Sequence, residues 1–129
     1  MKRRTCLQAI LAGGAAAGAL AAGGDSPILL HVDLAVDPAR EQEMLHNFHT
    51  IFLPEAAKHA GYIDVNMLKL RQALQGSAPA GVNYRLALTY RSEELRQKWV
   101  ASPGHRRVWP TIEKTLLSRN YTVLLFDVA

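Results

Sequence analysis

Four short segments with strand-like patterns, with helix-start signals in two of the three connections between them, restrict what this chain can fold into. In the first three segments apolar and polar side chains alternate, and the fourth is apolar on both faces apart from Asp127. A two-residue alternation predicts a β-strand with one face in a core. The predicted strands are residues 28–36, 62–70, 82–91 and 121–128.

Helix signals fall between the first two strands and between the last two. Asp37 followed by Pro38 supplies an N-cap and a first-turn proline, and Ser92 and Ser102 are further N-caps. Because proline lacks an amide hydrogen, Pro54 should kink or restart the first helix. That helix carries one apolar stripe, formed by Met44, Leu45, Phe48, Ile51 and Phe52.

The resulting order, β-α-β-β-α-β, predicts an α+β domain with the ferredoxin-like fold over residues 28–129: one four-stranded antiparallel sheet with helices on one face. Two such sheets facing each other in a homodimer would form an α/β barrel with a semi-polar cavity. Alternatively, the second sheet face meets water, and Arg85 pairs with Asp33 or Asp64 as a structural ion pair. By alternation this face carries Leu29, His31, Asp33, Asp64, Asn66, Arg85, Ala87 and Thr89.

Residues 1–24 have the three regions of an export signal: a basic start, an apolar stretch and small residues near the end. The paired Arg3 and Arg4, followed by Leu7, resemble the twin-arginine class of signals, which are addresses rather than anchors. The segment therefore predicts export to the periplasm by the twin-arginine route, without stable membrane insertion after cleavage. A general secretory signal and an uncleaved tether are the alternatives.

Much of the basic character of the chain belongs to this segment. The chain has 15 Lys and Arg against 11 Asp and Glu, a net charge of +4; without Lys2, Arg3 and Arg4, 12 basic residues face 11 acidic ones, a net charge of +1. This balance does not indicate a nucleic-acid partner. The only cysteine, Cys6, would also leave with the signal, so no intramolecular disulfide is expected.

Known metal and cofactor motifs are missing from the sequence. His46 and His49 lie on the first predicted helix, but no HExxH-type spacing accompanies them. The sequence also has no glycine-rich phosphate loop and no GxSxG nucleophile elbow. We therefore expect no metal site.

Several of these segments together resemble a known superfamily. Pro54, the pair Gly61-Tyr62, the strand 84–90 and the stretch Trp99-Val-Ala-Ser-Pro-Gly-His105 are similar to the dimeric α/β-barrel superfamily, especially to antibiotic-biosynthesis-monooxygenase-type domains. The stress-responsive α/β-barrel family is similar too, through its own Pro-x-His segment. The resemblance covers residues 28–128.

The resemblance implies a cofactor-independent monooxygenase that acts on a small, electron-rich aromatic compound such as a phenol, quinol or anthrone. Relatives with other roles leave three alternatives open. These are an aldol-type cyclase or isomerase that consumes no oxygen, a non-catalytic ligand-binding or stress-related dimer, and a haem-degrading protein.

Such a monooxygenase needs a base, donors for a developing oxyanion and a dry pocket. His105 is the candidate base, because it lies one turn before Trp109 on the same predicted helix face. Asn66 and Arg85 could hold the oxyanion from the sheet. The candidate substrate-binding residues are Tyr62, Trp99 and Trp109 for stacking and His31, Asp33 and Asp64 on the sheet face. Alternatively, the tryptophans belong to the core and His105 only packs locally.

Overall fold

The computed structural model describes residues 26–129, so the predicted export signal at residues 1–24 lies outside the described residues. Four strands and four α-helical segments follow one another in the predicted order. The strands are β1 Ile28–Leu34, β2 Tyr62–Lys69, β3 Tyr84–Tyr90 and β4 Thr122–Asp127. The α-helices are α1 Glu41–Asn47, α2 Leu53–Ala56, α3 Glu93–Ala101 and α4 Pro103–Glu113. Within residues 26–129, no helix has the length and apolar character needed to cross a membrane.

The four strands form one antiparallel sheet in the order β2-β3-β1-β4. β1 lies between β3 and β4, with His31 opposite Ala87 on one side and Leu124 on the other. This arrangement and the helices packed on the sheet confirm the predicted ferredoxin-like α+β fold.

The first helical segment is built as its capping signals predict. The Asp37 carboxylate accepts a hydrogen bond from the Ala39 amide, and a 3-10 turn at Pro38–Arg40 leads into α1. A π-helical turn, Phe48–Phe52, then precedes α2, whose first turn contains Pro54. Pro54 therefore lies where the π-helical turn passes into α2. The π turn has more residues per turn than an α-helix, so it shifts Ile51 out of the apolar stripe, where it is 36% exposed.

The core lies between the helices and one face of the sheet. Alternate residues of β3, from Tyr84 to Tyr90, are buried there and pack with Phe48, Phe52 and Trp99. Within the described residues, no helix covers the opposite face. β4 lies at the edge of the sheet and is exposed along its whole length, including Leu124 and Phe126 on the uncovered face.

Two serine caps set where α3 and α4 begin. The Ser92 hydroxyl accepts from the Leu95 amide at 3.2 Å, and the Ser102 hydroxyl accepts from the His105 amide at 3.2 Å. Each cap satisfies an amide that the helix itself leaves unpaired. Ser102 thus fixes the turn that carries His105, directly after the end of α3 and its buried Trp99.

Candidate functional site

A cavity of about 200 Å³ lies between the sheet and helices α3 and α4. Leu86 and Leu88 of β3 line it on the sheet side, and Tyr121 and Val123 line it near the exposed edge strand β4. The helices contribute Arg96, Trp99, His105 and Trp109. The cavity therefore combines apolar and aromatic walls with a few polar groups, which is typical of sites for small organic ligands.

His105 is held between the two indole rings of the cavity. Its ring centroid lies 5.0 Å from that of Trp99 in an edge-on arrangement, and 6.4 Å from that of Trp109 with nearly parallel planes. Burial lowers the pKa of His105, and electrostatic interaction with Arg96 and then with His59 lowers it further. The imidazole is therefore neutral near neutral pH and can accept a proton.

This lowered pKa makes stability depend on pH with a definite sign. As the pH falls through the usual histidine value of 6.5, the unfolded chain takes up the proton before folded His105 does. The free energy of unfolding therefore decreases on acidification toward the folded pKa. We expect the decrease between about pH 8 and pH 5 to be smaller in His105→Gln, measured by urea denaturation. His46→Gln, which removes an exposed histidine, is the control and should show the same decrease as the unmodified protein. If the free energy of unfolding of His105→Gln depended on pH as strongly as that of the unmodified protein, the prediction would be contradicted.

The orientation of Trp109 is fixed by a short chain of hydrogen bonds. The Trp109 indole donates to the Tyr121 hydroxyl at 3.1 Å, and that hydroxyl donates to the Glu113 carboxylate at 2.8 Å. Burial and Glu113 raise the pKa of Tyr121, which keeps the phenol protonated. The network places a hydroxyl oxygen and a rigid indole in the wall of the cavity.

Arg96 brings a positive charge to the same cavity. Its Nε and Nη2 each donate to the Glu93 carboxylate at 2.7 Å. This pair raises the pKa of Arg96 and lowers that of Glu93. Nη1 makes no hydrogen bond to any of residues 26–129, so the guanidinium is fixed in place and still has donors to offer.

A second histidine lies on the other side of Trp99. The His59 ring centroid is 4.6 Å from that of Trp99, and its Nε2 lies 3.0 Å from Oε2 of Glu55. Hydrogen bonding to His59 and Arg107 lowers the pKa of Glu55. Trp99 is consequently clamped between two imidazoles and is only 1% exposed, so it is both a core residue and a wall of the cavity.

The predicted site residues divide between the two sides of the sheet. His105, Trp99 and Trp109 come together in the helix-side cavity. Within residues 26–129, the predicted sheet-face residues lie on the other side of the sheet from His105, because alternation along a strand sends neighbouring side chains to opposite faces. On the uncovered face lie Arg85, Asn66, His31, Asp33 and Asp64.

On that face the polar residues have partners of their own. Arg85 donates to Asp33 from Nε at 2.6 Å and from Nη2 at 3.2 Å, so the structural ion pair is the alternative that the structure shows. Asn66 donates to Asp64 at 2.8 Å, at an exposed position. The His31 ring packs against Phe126, with centroids 5.0 Å apart.

The remaining predicted binding residue, Tyr62, lies outside the cavity. Its ring packs edge-on against Tyr90, with centroids 6.3 Å apart. Among residues 26–129, no three His, Cys, Asp or Glu side chains are placed to hold one metal ion, and His46 and His49 are exposed.

Sequence reasoning missed Arg96 and Tyr121. A signal for Arg96 was present, since it precedes Trp99 by three residues and Val100 by four and so shares their helix face. Tyr121 continues the alternation of Val123, which faces the helices, but its contact with Trp109 depends on how β4 packs beside α4. Periodicity does not supply that information.

Comparison with solved structures gives this geometry a context. No family model matches the chain, and no curated protein matches it significantly. Solved structures do match. A protein from Caulobacter crescentus, assigned provisionally as an antibiotic biosynthesis monooxygenase, superposes with a TM-score of 0.63 at 15% identity, covering 81% of this chain and 92% of that one.

The chain has the ferredoxin-like fold. Two further structures share it. SnoaB, a cofactor-independent oxygenase from Streptomyces nogalater, matches with a TM-score of 0.57 at 14% identity, over 80% of this chain and 91% of that one. A dimeric ferredoxin-like protein of unknown function from Jannaschia sp. CCS1 matches with a TM-score of 0.61 at 16% identity, over 80% and 98%. At such identities the likeness establishes the fold, while activity depends on the site.

Proposed function

We propose that this protein is an exported, cofactor-independent monooxygenase that acts on a small phenol, quinol or anthrone. The observation that carries the proposal is His105, a neutral imidazole between two indole rings in a mostly apolar cavity. A base of this kind can remove a phenolic proton, and the surrounding rings can stack on an aromatic substrate. The structural similarity to SnoaB supports the same chemistry.

The proposed reaction balances without any added reductant. His105 takes a proton from the substrate, which becomes an electron-rich anion and reduces dioxygen at carbon to a peroxide anion. Protonated His105 then returns its proton to that anion, which gives a hydroperoxide. Loss of water from that hydroperoxide leaves a carbonyl. One oxygen atom enters the product, the other leaves as water, and the substrate supplies all the electrons.

Arg96 takes the role that the sequence suggested for Arg85 and Asn66. A fixed cation beside the cavity stabilises the phenolate that forms when His105 accepts the proton. Glu93 already holds Nε and Nη2 of Arg96. Nη1 can therefore donate to a substrate oxygen without a large loss of side-chain entropy on binding. The hydrogen bond between Trp109 and Tyr121 holds a further part of the cavity wall in place.

The size of the cavity restricts the substrate. At about 200 Å³ it is smaller than the roughly 300–1,000 Å³ of sites for drug-sized ligands. Val123 of the exposed strand β4 borders it, so one side is open. A compact aromatic compound suits this space better than a long polyketide.

The test is oxygen consumption by the purified protein with anthrone, hydroquinone and catechol. We expect uptake above the uncatalysed rate with at least one of them. With isotopically labelled dioxygen, one labelled atom should appear in the product and one in water. Turnover of substrate without uptake would instead indicate a cyclase or isomerase, and binding without turnover would indicate a ligand-binding protein; either result rejects the oxygenase.

We also propose that the protein is a homodimer that pairs through the uncovered sheet face and β4. Support comes from the exposed apolar side chains of β4, which are 43% to 50% accessible, and from a dimeric protein of the same fold. An edge strand with this composition is a site for association.

Phe126→Glu should therefore shift the protein from dimer to monomer, because it places a charge in the proposed interface beside His31. Sedimentation velocity at micromolar concentration measures the change as a halved mass. The control is Leu74→Glu, which changes a leucine that is 88% exposed in the loop between β2 and β3 and should leave the mass unchanged. A Phe126→Glu protein with the mass of the unmodified protein would reject this interface.

For export, we propose the twin-arginine route, supported by Arg3, Arg4 and the apolar stretch that follows them. Replacing both arginines with lysine keeps the charge but removes the paired guanidinium groups. We expect the variant to accumulate inside the cell, measured by fractionation and immunoblotting. Normal export of the variant would point to the general secretory route.

A further inference from the structure

A second cavity lies under the loop between β2 and β3. Its volume is about 330 Å³, and it borders the ends of three strands. Asp33 comes from β1, Leu68 and Lys69 from β2, and Tyr84 and Arg85 from β3. None of these residues lines the His105 cavity, so the two spaces are separate.

The loop itself forms part of this cavity and is well anchored. At its base the Leu70 amide donates to the Asn83 carbonyl at 2.9 Å, and the Asn83 amide donates to the Leu34 carbonyl at 3.0 Å. Ser77, Ala78 and Pro79 line the cavity from the loop. The cavity is thus preformed by the chain's own backbone.

Asp33 lies at the end of the uncovered sheet face that borders the loop. Asp33 is only 7% exposed, although it lies on the sheet face that carries no helix. Asp64 and Asn66 on the same face are exposed. Loop residues share the cavity with Asp33, whereas Leu124 and Phe126 on β4 do not line it.

The charges around the cavity do not cancel. Arg85 is matched by Asp33, and Lys69 is matched by Glu41 at 2.7 Å, a carboxylate that also accepts from the Tyr84 hydroxyl at 2.5 Å. Arg71 lines the same cavity and has no ion pair or hydrogen bond with any of residues 26–129. One cation is therefore left over.

The other lining groups are mainly apolar, including Leu68, Leu70 and Val82. A ligand that matches an apolar space with one surplus guanidinium is a small amphipathic monoanion. A carboxylate is the best fit, because guanidinium groups bind carboxylates with two parallel hydrogen bonds. A phosphate dianion would add a second charge that no free cation in this cavity balances.

We propose that this cavity is a second ligand site, for a small apolar carboxylic acid in its anionic form, with Arg71 as the residue that binds the carboxylate. Nη1 of Arg85 is the second donor available, because only Nε and Nη2 are used on Asp33. The site does not depend on the oxygenase chemistry proposed for the His105 cavity.

The experiment titrates the purified protein with phenylacetate and, as the uncharged match, with phenylacetamide, following backbone amide chemical shifts. We expect saturable shifts from phenylacetate at residues 68–71 and 82–85, and at least tenfold weaker binding of phenylacetamide. Arg71→Gln should weaken phenylacetate binding about tenfold, as for the loss of a charged hydrogen bond. Arg91→Gln, at another exposed arginine, should leave the affinity unchanged.

His105→Ala distinguishes the two cavities, because it should leave phenylacetate binding at residues 68–71 intact. Four results would overturn the proposal: no saturable shifts near Arg71, equal affinity for the amide, an unchanged affinity in Arg71→Gln, or shifts confined to residues around His105. A loss of dimer mass on adding phenylacetate would also overturn it, since the cavity would then be filled by the second copy.

Discussion

His105→Ala should lower the rate of oxygen uptake by about 10²–10⁴-fold, the usual contribution of a general base. Without the imidazole, no other neutral base lines the cavity among residues 26–129, because the remaining polar groups there are Arg96, the Trp indoles and the Tyr121 phenol. Single-turnover oxygen consumption with the best substrate of the panel measures the loss. The loss of rate should appear mainly as a lower kcat, with little change in KM, since Trp99 and Trp109 still bind the ring.

Two controls make this result specific. His46→Ala removes an exposed histidine of α1 and should leave the rate unchanged. Arg96→Gln keeps the imidazole but removes a positive charge that lowers the pKa of His105, so the acid limb of the kcat/KM profile should move to higher pH. A folded His105→Ala protein with full activity would show that the base lies elsewhere.

The fold could be predicted from the sequence because its signals are local. Alternation marks three strands, and the caps at Asp37, Ser92 and Ser102 mark helix starts with hydrogen bonds that the structure shows. Ile51 is a small exception, because a π turn adds a residue that helical periodicity does not anticipate. The order of elements then leaves few topologies.

The composition of the site could be predicted only in part. Alternation correctly places Arg85 and Asn66 on one face, but the sequence does not reveal on which side of the sheet a cavity opens. His105 and Trp109 lie on the helix side because α4 packs there, and Arg96 joins them from α3. The neighbours of Trp99, His59 on one side and His105 on the other, are 40 and 6 residues away in the chain, so only tertiary packing brings them together.

Gly61→Ala should be the most destabilising small substitution in the connection between α2 and β2. Gly61 has φ of +92°, in the left-handed region that costs other residues about 1–2 kcal/mol. An added Cβ would also lie 2.7 Å from both Cβ and Cδ1 of Leu95, closer than real Cβ atoms approach. Overpacking of this kind costs about 1–3 kcal/mol, so we expect a total of about 3 kcal/mol, measured by urea denaturation.

Gly76→Ala separates the two contributions. Gly76 has φ of +75°, but an added Cβ there would meet nothing within 4 Å, so only the backbone cost applies. The difference in stability between the two variants measures the contact with Leu95, and Leu95→Ala should reduce that difference because it removes Cγ and Cδ1 but keeps Cβ.

The Gly61 carbonyl accepts from the Arg91 amide at 2.7 Å, which joins the start of β2 to the turn before α3. A shift at Gly61 would therefore displace the helix that carries Arg96 and Trp99, and oxygen uptake by the folded fraction of Gly61→Ala should fall, while Gly76→Ala retains it. Equal stability of the two glycine variants would show that Leu95 moves aside without cost.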